Sequence, residues 1–83
     1  MKINLRYFAS LREALGPTDT VELPAGSSVA QLRDLLLARG GRHAEVLSRG
    51  RAVRVALNQT LCDESALLPD GAEVAFFPPV TGG

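Results

Sequence analysis

The sequence predicts a two-layer α+β domain in which one amphipathic helix packs across a mixed β-sheet. Runs that alternate apolar and polar residues, typical of strands, lie on both sides of one strong helical repeat. A chain of 83 residues accommodates one small domain, and a hydrophobic fraction of 46% argues against disorder. The last strand-like run, residues 73–77, is apolar on both faces, which is typical of a central strand.

The first elements predicted are two strands joined by a short helix. Residues 2–8 alternate and predict a strand with an apolar end. Ser10 and Glu13 have the spacing of a capping box, which predicts a helix from Ser10 that a Gly-Pro pair ends after residue 15. Residues 18–23 predict a second strand, and the two strands are expected to pair as a hairpin.

The main helix is predicted over residues 29–39. Ser28 and Gln31 form a second capping-box spacing, and apolar residues recur at helical intervals after it. Two glycines at 40–41 are expected to end this helix. Residues 42–48 predict only a short helical turn.

The second half of the chain predicts the remaining strands. Residues 51–58 alternate and predict a third strand, whereas residues 63–68 are ambiguous between a short fourth strand and a turn. A Leu-Pro-Asp-Gly turn at 68–71 leads into the last strand, residues 73–77. This order favours the ubiquitin-like β-grasp, whose first and last strands lie side by side and parallel at the centre. A β-grasp domain over residues 1–77 and a flexible, extended C-terminal Gly-Gly tail over 78–83 are predicted.

Composition excludes several classes of function. Nine basic and nine acidic residues give a net charge of zero, which argues against nucleic-acid and membrane-surface partners and favours association with a protein. A single cysteine, Cys62, excludes an internal disulfide, and with only His43 beside it no ordinary zinc site is expected. The sequence has no signal-peptide pattern and no membrane-span pattern, so we expect a cytoplasmic protein without a bound metal.

The C-terminal residues are the strongest candidate for chemistry. Pro78 and Pro79 lack backbone donors and favour a stiff, extended spacer, and Gly82 and Gly83 have no side chains. Such a tail can enter a narrow channel and present only its terminal carboxylate there. An ionised carboxylate is a poor electrophile, so acyl chemistry would need activation by another protein. The alternative interpretation is a frayed terminus without a function.

At this end the sequence resembles a known family, the small subunit of molybdopterin synthase. The residues that carry the resemblance are 73–83, whose pattern is highly specific, together with 57–60, 68–71, 7–9 and 12–13. The resemblance spans the chain, with a weak middle from 29 to 51.

The resemblance implies a sulfur carrier. Gly83 is expected to be adenylated by a ubiquitin-activating-like enzyme that uses ATP, and a sulfurtransferase is expected to supply sulfur for a thiocarboxylate. The tail would insert into the large synthase subunit and give its sulfur to cyclic pyranopterin monophosphate, in a complex of two small and two large subunits. Catalytic residues are then expected on the large subunit, and this chain is expected to hold no permanent cofactor. The residues expected to insert are Pro78, Pro79, Val80, Thr81 and Gly82.

Three residues are predicted to contact a partner beside the tail. Phe8 and Phe77 lie on the opposite alternation from Phe76, which is expected in the core. Arg12 is predicted to contact acidic residues of a partner. An equally good interpretation is that Arg12 is a solvent-exposed helix residue without a role in binding. Arg51 and Arg54 form a weak basic patch with the same two interpretations.

Two other hypotheses remain open. One is a sulfur carrier for another pathway, such as thiamine biosynthesis, against which the Phe-Phe-Pro-Pro run at 76–79 argues. The other is a protein-interaction module with an idle tail. Cys62 and His43 are the residue types of a thiol nucleophile and its base, but nothing brings them together in the sequence. A buried or half-buried cysteine without a reaction is the favoured interpretation.

Overall fold

A computed structural model describes residues 1–78 of the chain. The elements within these residues are β1 (Lys2–Tyr7), α1 (Ala9–Leu15), β2 (Thr18–Glu22), α2 (Val29–Leu37), α3 (Gly41–Leu47), β3 (Arg54–Leu57), β4 (Thr60–Cys62) and β5 (Glu73–Phe77). The strands form one sheet in the order β2-β1-β5-β3-β4. The predicted extended and flexible tail lies, from Pro79 onward, outside the described residues, and the division of the chain after residue 77 stays a prediction.

The sheet is mixed, and β5 is its central strand. β5 runs parallel to β1, with Leu5 opposite Val74, and antiparallel to β3, with Ala56 opposite Ala75. The outer pairs, β1 with β2 and β3 with β4, are antiparallel. The predicted β-grasp arrangement, with the first and last strands parallel at the centre, is therefore confirmed.

One face of the sheet is covered by the helices. Every second residue of β1 is buried, and β5 contributes Val74 and Phe76 to the same core. The apolar face of α2 packs against them through side chains that are fully buried, because its apolar residues recur once per helical turn. The largest fully buried side chains are Tyr7, Phe76, Ile3, Leu5, Leu32, Leu36, Leu47, Val29 and Val74.

The main helix begins as predicted and ends earlier. The Ser28 hydroxyl accepts a hydrogen bond from the Gln31 backbone N–H at 3.3 Å, and the Gln31 side chain accepts one from the Ser28 N–H at 2.8 Å. The helix ends at Leu37 rather than Arg39, because a tighter turn follows in which the N–H groups of Arg39 and Gly40 bond carbonyls three residues back. No helix among residues 1–78 is long and apolar enough to cross a membrane.

The predicted capping box of the first helix is wrong. Phe8 is the N-cap of α1, which begins at Ala9, and no side chain caps this end. The Phe8 N–H bonds the Phe76 carbonyl at 3.2 Å, and the Phe8 carbonyl accepts from Leu11 and Arg12. The sheet therefore runs directly into the helix, and Ser10 lies inside the first turn instead of before it.

The third strand is shorter than predicted. The β3–β5 ladder begins with Arg54 opposite Phe77, so residues 51–53 lie before the strand. Continued in the same register, Val53 would face Pro78, which has no N–H to donate. The short helical turn predicted at 42–48 is a helix, α3, which buries Leu47.

The fourth strand lies earlier than the ambiguous segment 63–68. A two-residue turn at Asn58 and Gln59, both with positive φ, connects β3 to β4 at Thr60–Cys62. Positive φ at both positions is the geometry of a type I′ hairpin turn. The Asn58 side chain also accepts a hydrogen bond from the Glu73 N–H at 2.9 Å, which ties the turn to the start of β5.

Candidate functional site

The tail begins at the middle of one end of the sheet. β5 ends at Phe77 with β1 on one side and β3 on the other, and the half-buried Pro78 follows. The predicted inserting residues Pro79, Val80, Thr81 and Gly82 and the predicted reacting residue Gly83 lie outside the described residues. What the structure describes is therefore the platform from which these residues start.

Two adjacent phenylalanines on β5 point to opposite faces of the sheet. Phe76 is 1% exposed, and its ring stacks on that of Tyr7 with the centroids 6.4 Å apart, so its predicted place in the core is confirmed. Phe77 is half-buried and contacts the ring of Phe8 edge to face, with the centroids 6.5 Å apart. The structure thus brings Phe8 and Phe77 together outside the core.

An apolar strip continues from these rings across the sheet. Ala75 lies opposite Ala56 on β3, which lies opposite Leu61 on β4. The two alanines are nearly inaccessible, with 9% of Ala56 and 7% of Ala75 exposed, so they form the covered middle of the strip, and Leu61 is 61% exposed at its far end. We call this surface, made of Phe8, Ala56, Leu61, Ala75 and Phe77, the docking face.

Leu61 is a functional candidate that the sequence interpretation missed. Its exposure depends on the hairpin turn at Asn58 and Gln59, which sets Leu61 on the same side as Ala56. The signal in the sequence is only a three-residue alternation, Thr-Leu-Cys, in which the apolar leucine points away from the half-buried Cys62. So short a run is a weak indication of a strand.

Two arginines, Arg6 and Arg54, border the docking face. The Arg6 guanidinium lies over the Phe8 ring at 5.4 Å from its centroid, a cation–π contact. Arg54 is opposite Phe77 in the ladder, and Arg12 is exposed on α1. Within residues 1–78 none of these three arginines has an ion-pair partner. An apolar surface with a basic border suits a partner surface with acidic residues around an apolar centre.

A buried arginine fixes the segment that leads into β3. Arg33, on α2, is 4% exposed, and its guanidinium donates to the carbonyls of Leu47 at 2.7 Å, Ser48 at 2.7 Å and Arg51 at 3.2 Å. It also pairs with Glu64 at 2.6 Å. The end of α3 and the lead-in to β3 are therefore held by one side chain, which we call the Arg33 clasp. Its burial has no signature in the local sequence.

Cys62 and His43 have different neighbours. The Cys62 thiol is half-buried and lies 3.9 Å from the Val55 carbonyl, and burial, with the nearby Asp63 charge, raises the pKa of this thiol. His43 lies beside Arg39. A protonated thiol without a base is a poor nucleophile. In the part of the chain that the structure describes, no group of three His, Cys, Asp or Glu side chains could hold a metal ion.

The chain is similar along its whole length to known proteins. The model of the ThiS family matches residues 5–83. A molybdopterin synthase sulfur carrier subunit from Escherichia coli (strain K12) is 45% identical over 82 residues, covering 98% of this chain and 99% of that protein.

Solved structures agree with this likeness. SAMP1 from Haloferax volcanii has a TM-score of 0.80 and 26% identity, with both chains covered completely. A complex of subunits 1 and 2 of molybdopterin-converting factor from Helicobacter pylori contains a chain with a TM-score of 0.71 and 25% identity, again with both chains covered completely. The chain therefore belongs to the ThiS family of ubiquitin-like β-grasp proteins and, within it, to the molybdopterin synthase sulfur carrier subunits.

Proposed function

We propose that this chain carries sulfur on the carboxyl group of Gly83 and delivers it inside the large subunit of molybdopterin synthase. The observation that carries the proposal is the continuity of the docking face with the start of the tail. Phe77 belongs to the docking face, and Pro78, the next residue, begins the tail. A protein that binds the docking face therefore receives the tail at a fixed place. The full-length likeness to sulfur carrier subunits supports the same function.

The chemistry requires three steps before transfer. A carboxylate oxygen of Gly83 attacks the α-phosphate of ATP on the activating enzyme, and pyrophosphate leaves. The terminal sulfur of a persulfide on a sulfurtransferase then attacks the acyl carbon of the adenylate, and AMP leaves with its bonding electron pair. A thiol attacks the sulfurtransferase sulfur of the resulting acyl disulfide, a new disulfide forms there, and the S–S bond breaks to release the thiocarboxylate. ATP is thus a substrate of the activating enzyme and not a resident group of this chain.

Delivery depends on the width and reach of the tail. Glycines at 82 and 83 add no side chains around the reacting carboxyl, and prolines at 78 and 79 favour an extended spacer. From Pro78 the terminal carboxyl reaches about 16 Å, at about 3.3 Å per residue. The sulfur would be transferred to cyclic pyranopterin monophosphate at that depth in the large subunit, which supplies the catalytic residues.

The docking face is proposed as the binding surface for the large subunit. The Helicobacter pylori relative is in a complex of subunits 1 and 2. In this chain the exposed Leu61 and the pair of rings at Phe8 and Phe77 are the apolar groups that such a partner would cover. Two small and two large subunits are the expected assembly.

The first experiment locates the sulfur. The protein is incubated with ATP, the activating enzyme and a sulfur donor, and the fragment masses of its C-terminal peptide are measured. Sulfur in place of one oxygen on Gly83 is the expected result. Fragment masses are needed because oxidation of Met1 or Cys62 adds nearly the same mass to the whole protein. An unmodified Gly83, with another carrier modified in parallel, contradicts the proposal.

Two variants distinguish the proposal from the alternatives. A chain without Gly82 and Gly83 should fold normally and lose all sulfur transfer, whereas an interaction module with an idle tail would keep its activity. A chain with one residue added after Gly83 should also be inactive, because the reacting carboxyl is displaced. The identity of the large protein that co-purifies with the chain separates a molybdopterin synthase subunit from a carrier of the thiamine type.

A further inference from the structure

Arg6 lies in a row of side chains that crosses the sheet on the side of the docking face. Residues paired across neighbouring strands point to the same face, and successive pairs join one side chain from each of the five strands. From the β2 edge to the β4 edge, the row is Thr18, Arg6, Ala75, Ala56 and Leu61. Arg6 is therefore the charged member of this row, and the three members beyond it are apolar.

The Arg6 side chain is held beside the start of the tail. Its guanidinium lies over the Phe8 ring, 5.4 Å from the ring centroid, and this ring contacts Phe77, the residue before Pro78. A long side chain that is free in solvent loses rotamer freedom when a partner immobilises it, and contact with a ring face restricts it beforehand. The positive charge is thus placed in advance at the point where the tail begins.

This guanidinium has no acidic partner within the described residues. Arg6 is exposed, and none of the ion pairs among residues 1–78 includes it, whereas Arg33, Arg39 and Arg49 are each paired with a carboxylate. The planar guanidinium matches a carboxylate through two parallel hydrogen bonds. A partner that covered this cation without an opposite charge would leave it unpaired, which is unfavourable.

We infer that Arg6 selects the partner of the docking face by pairing with an aspartate or glutamate of the large subunit. The inference rests on the proposed function, because it concerns the surface proposed to bind that subunit. The backbones of Arg6 and Leu61 are three strand spacings apart, about 14 Å at about 4.8 Å each. The fitting partner therefore has an apolar pocket for Leu61 and, on the order of 14 Å away, a carboxylate for Arg6. A protein with a basic group at that point is rejected by like-charge repulsion.

The first experiment measures the affinity of the large subunit for four proteins by calorimetric titration. They are the unchanged chain, Arg6→Gln, Arg6→Lys and a control, Arg42→Gln, which removes an equal charge from an exposed residue of α3 on the opposite side of the sheet. Arg6→Gln should bind about five- to twentyfold more weakly, between the effect of an exposed ion pair and that of a covered hydrogen bond to a charged group. Arg6→Lys keeps the charge but not the planar fork, so its affinity should lie between those of Arg6→Gln and the unchanged chain. Arg42→Gln should bind as the unchanged chain does.

Two results of this titration would overturn the inference. Equal affinities of the unchanged chain and Arg6→Gln would show that no carboxylate faces Arg6, while the proposed function would stand. No binding of the unchanged chain to the large subunit would overturn the proposed function and the inference with it. Because Arg6 is exposed, the melting temperature of each variant should stay near that of the unchanged chain, which verifies that the fold is retained.

The salt dependence of the affinity separates a charge pair from support of the Phe8 ring. Removal of Arg6 also removes its contact with this ring, and that loss alone would not depend on salt. A charge pair at the border of an interface weakens as salt is added, since the screening length falls from about 10 Å at 0.1 M to about 3 Å at 1 M. The ratio of affinities between the unchanged chain and Arg6→Gln should therefore shrink over this range. A ratio that salt leaves unchanged would assign the loss to the ring and overturn the inference.

A further variant separates selection by charge from binding by apolar area. Arg6→Leu extends the apolar part of the row at an exposed position. If apolar area alone determined the affinity, this variant would bind the large subunit more tightly than the unchanged chain does. We expect it to bind at least about fivefold more weakly, because the carboxylate of the partner is then covered without a cation. Tighter binding of Arg6→Leu would contradict the role assigned to Arg6.

Discussion

Two neighbouring residues on one strand are expected to serve different purposes, one in folding and the other in partner binding, and this can be tested. Phe76 and Phe77 are the same residue type on β5, but Phe76 is 1% exposed against Tyr7, while Phe77 lies half-buried on the docking face. We expect Phe76→Ala to damage the fold and Phe77→Ala to damage binding. The comparison holds the residue type, the strand and the substitution constant.

The magnitudes follow from the contacts of each ring. Truncation of a fully buried phenylalanine costs about 3–5 kcal/mol. At about 4–8 °C per kcal/mol for a domain of this size, Phe76→Ala should lower the melting temperature by about 12–40 °C. Phe77→Ala removes mainly the edge-to-face contact with Phe8, worth about 0.5–1.5 kcal/mol, and should lower it by about 2–12 °C.

The loss of affinity for the large subunit should be greater for the Phe77 substitution than for a substitution of Phe76, the opposite of the order for stability. Truncation of a central aromatic residue in an interface costs at least about 1–2 kcal/mol, so Phe77→Ala should weaken the affinity for the large subunit by about five- to thirtyfold. Calorimetric titration and thermal melting of both variants measure the two effects. Because Phe76→Ala risks not folding at all, Phe76→Leu provides a milder core change, for which the affinity should stay near that of the unchanged protein.

Either of two results would refute this reasoning. Equal losses of stability in Phe76→Ala and Phe77→Ala would show that the two rings are not on different faces. An unchanged affinity in Phe77→Ala would show that the large subunit binds elsewhere than on the docking face.

Three further predictions concern Tyr7, Cys62 and Arg33. The Tyr7 hydroxyl is buried without a hydrogen-bond partner among the described residues, so Tyr7→Phe should be as stable as the unchanged protein or more stable in urea at pH 7. Burial, and then the Asp19 charge, raises the pKa of Tyr7 to about 12. The free energy of unfolding of the unchanged protein should therefore fall by about 2–3 kcal/mol more than that of Tyr7→Phe between pH 10 and 12. Equal decreases in the two proteins would contradict this prediction. Cys62→Ser should still accept sulfur on Gly83, measured by peptide mass, and failure would indicate a relay through the thiol. Arg33→Met removes the donor to the carbonyls that the Arg33 clasp holds. It should lower the free energy of unfolding, measured in urea, by about 1–3 kcal/mol. A change near zero would show that the clasp does not stabilise the fold.

The sign of the Tyr7 effect follows from its protonation states. A tyrosine is neutral below its pKa, and the folded protein favours the neutral form because the side chain is buried. Its stabilising contribution is therefore complete below the unfolded pKa near 10 and is lost as the pH rises through the folded value of about 12. Asp19 behaves oppositely: burial raises its pKa, but hydrogen bonds from Arg39 and the Thr20 N–H outweigh burial and hold the pKa below its usual value.

Local patterns predicted the parts of the fold that local interactions determine. The capping box at Ser28 and Gln31 forms within four residues, and both of its hydrogen bonds are present. The opposite directions of Phe76 and Phe77 follow from the two-residue period of any strand. Even the central place of β5 follows from its sequence, since a strand that is apolar on both faces must be covered on both sides or bind something.

Long-range contacts determine the parts that the sequence did not reveal. The first helix begins at Ala9 because the Phe8 N–H bonds the Phe76 carbonyl, 68 residues away, and no local pattern around Ser10 records that bond. The burial of Arg33 depends on carbonyls from residues 47–51 and on Glu64, which meet only in the folded chain. Leu61 was missed because its strand has three residues and follows a turn without glycine.

The central position of β5 bears on how a bound tail is held. A partner that binds residues after Pro78 pulls on β5, and this strand is paired with β1 on one side and β3 on the other. An edge strand has one such ladder and would separate from its sheet more easily. Because both ladders end near Phe77, and because proline at 78 cannot extend either one, we expect the boundary between the strand and the tail proposed to insert at that residue. The same position would thus supply an anchored start for the tail and, through the Phe77 ring, part of the surface proposed to bind the large subunit.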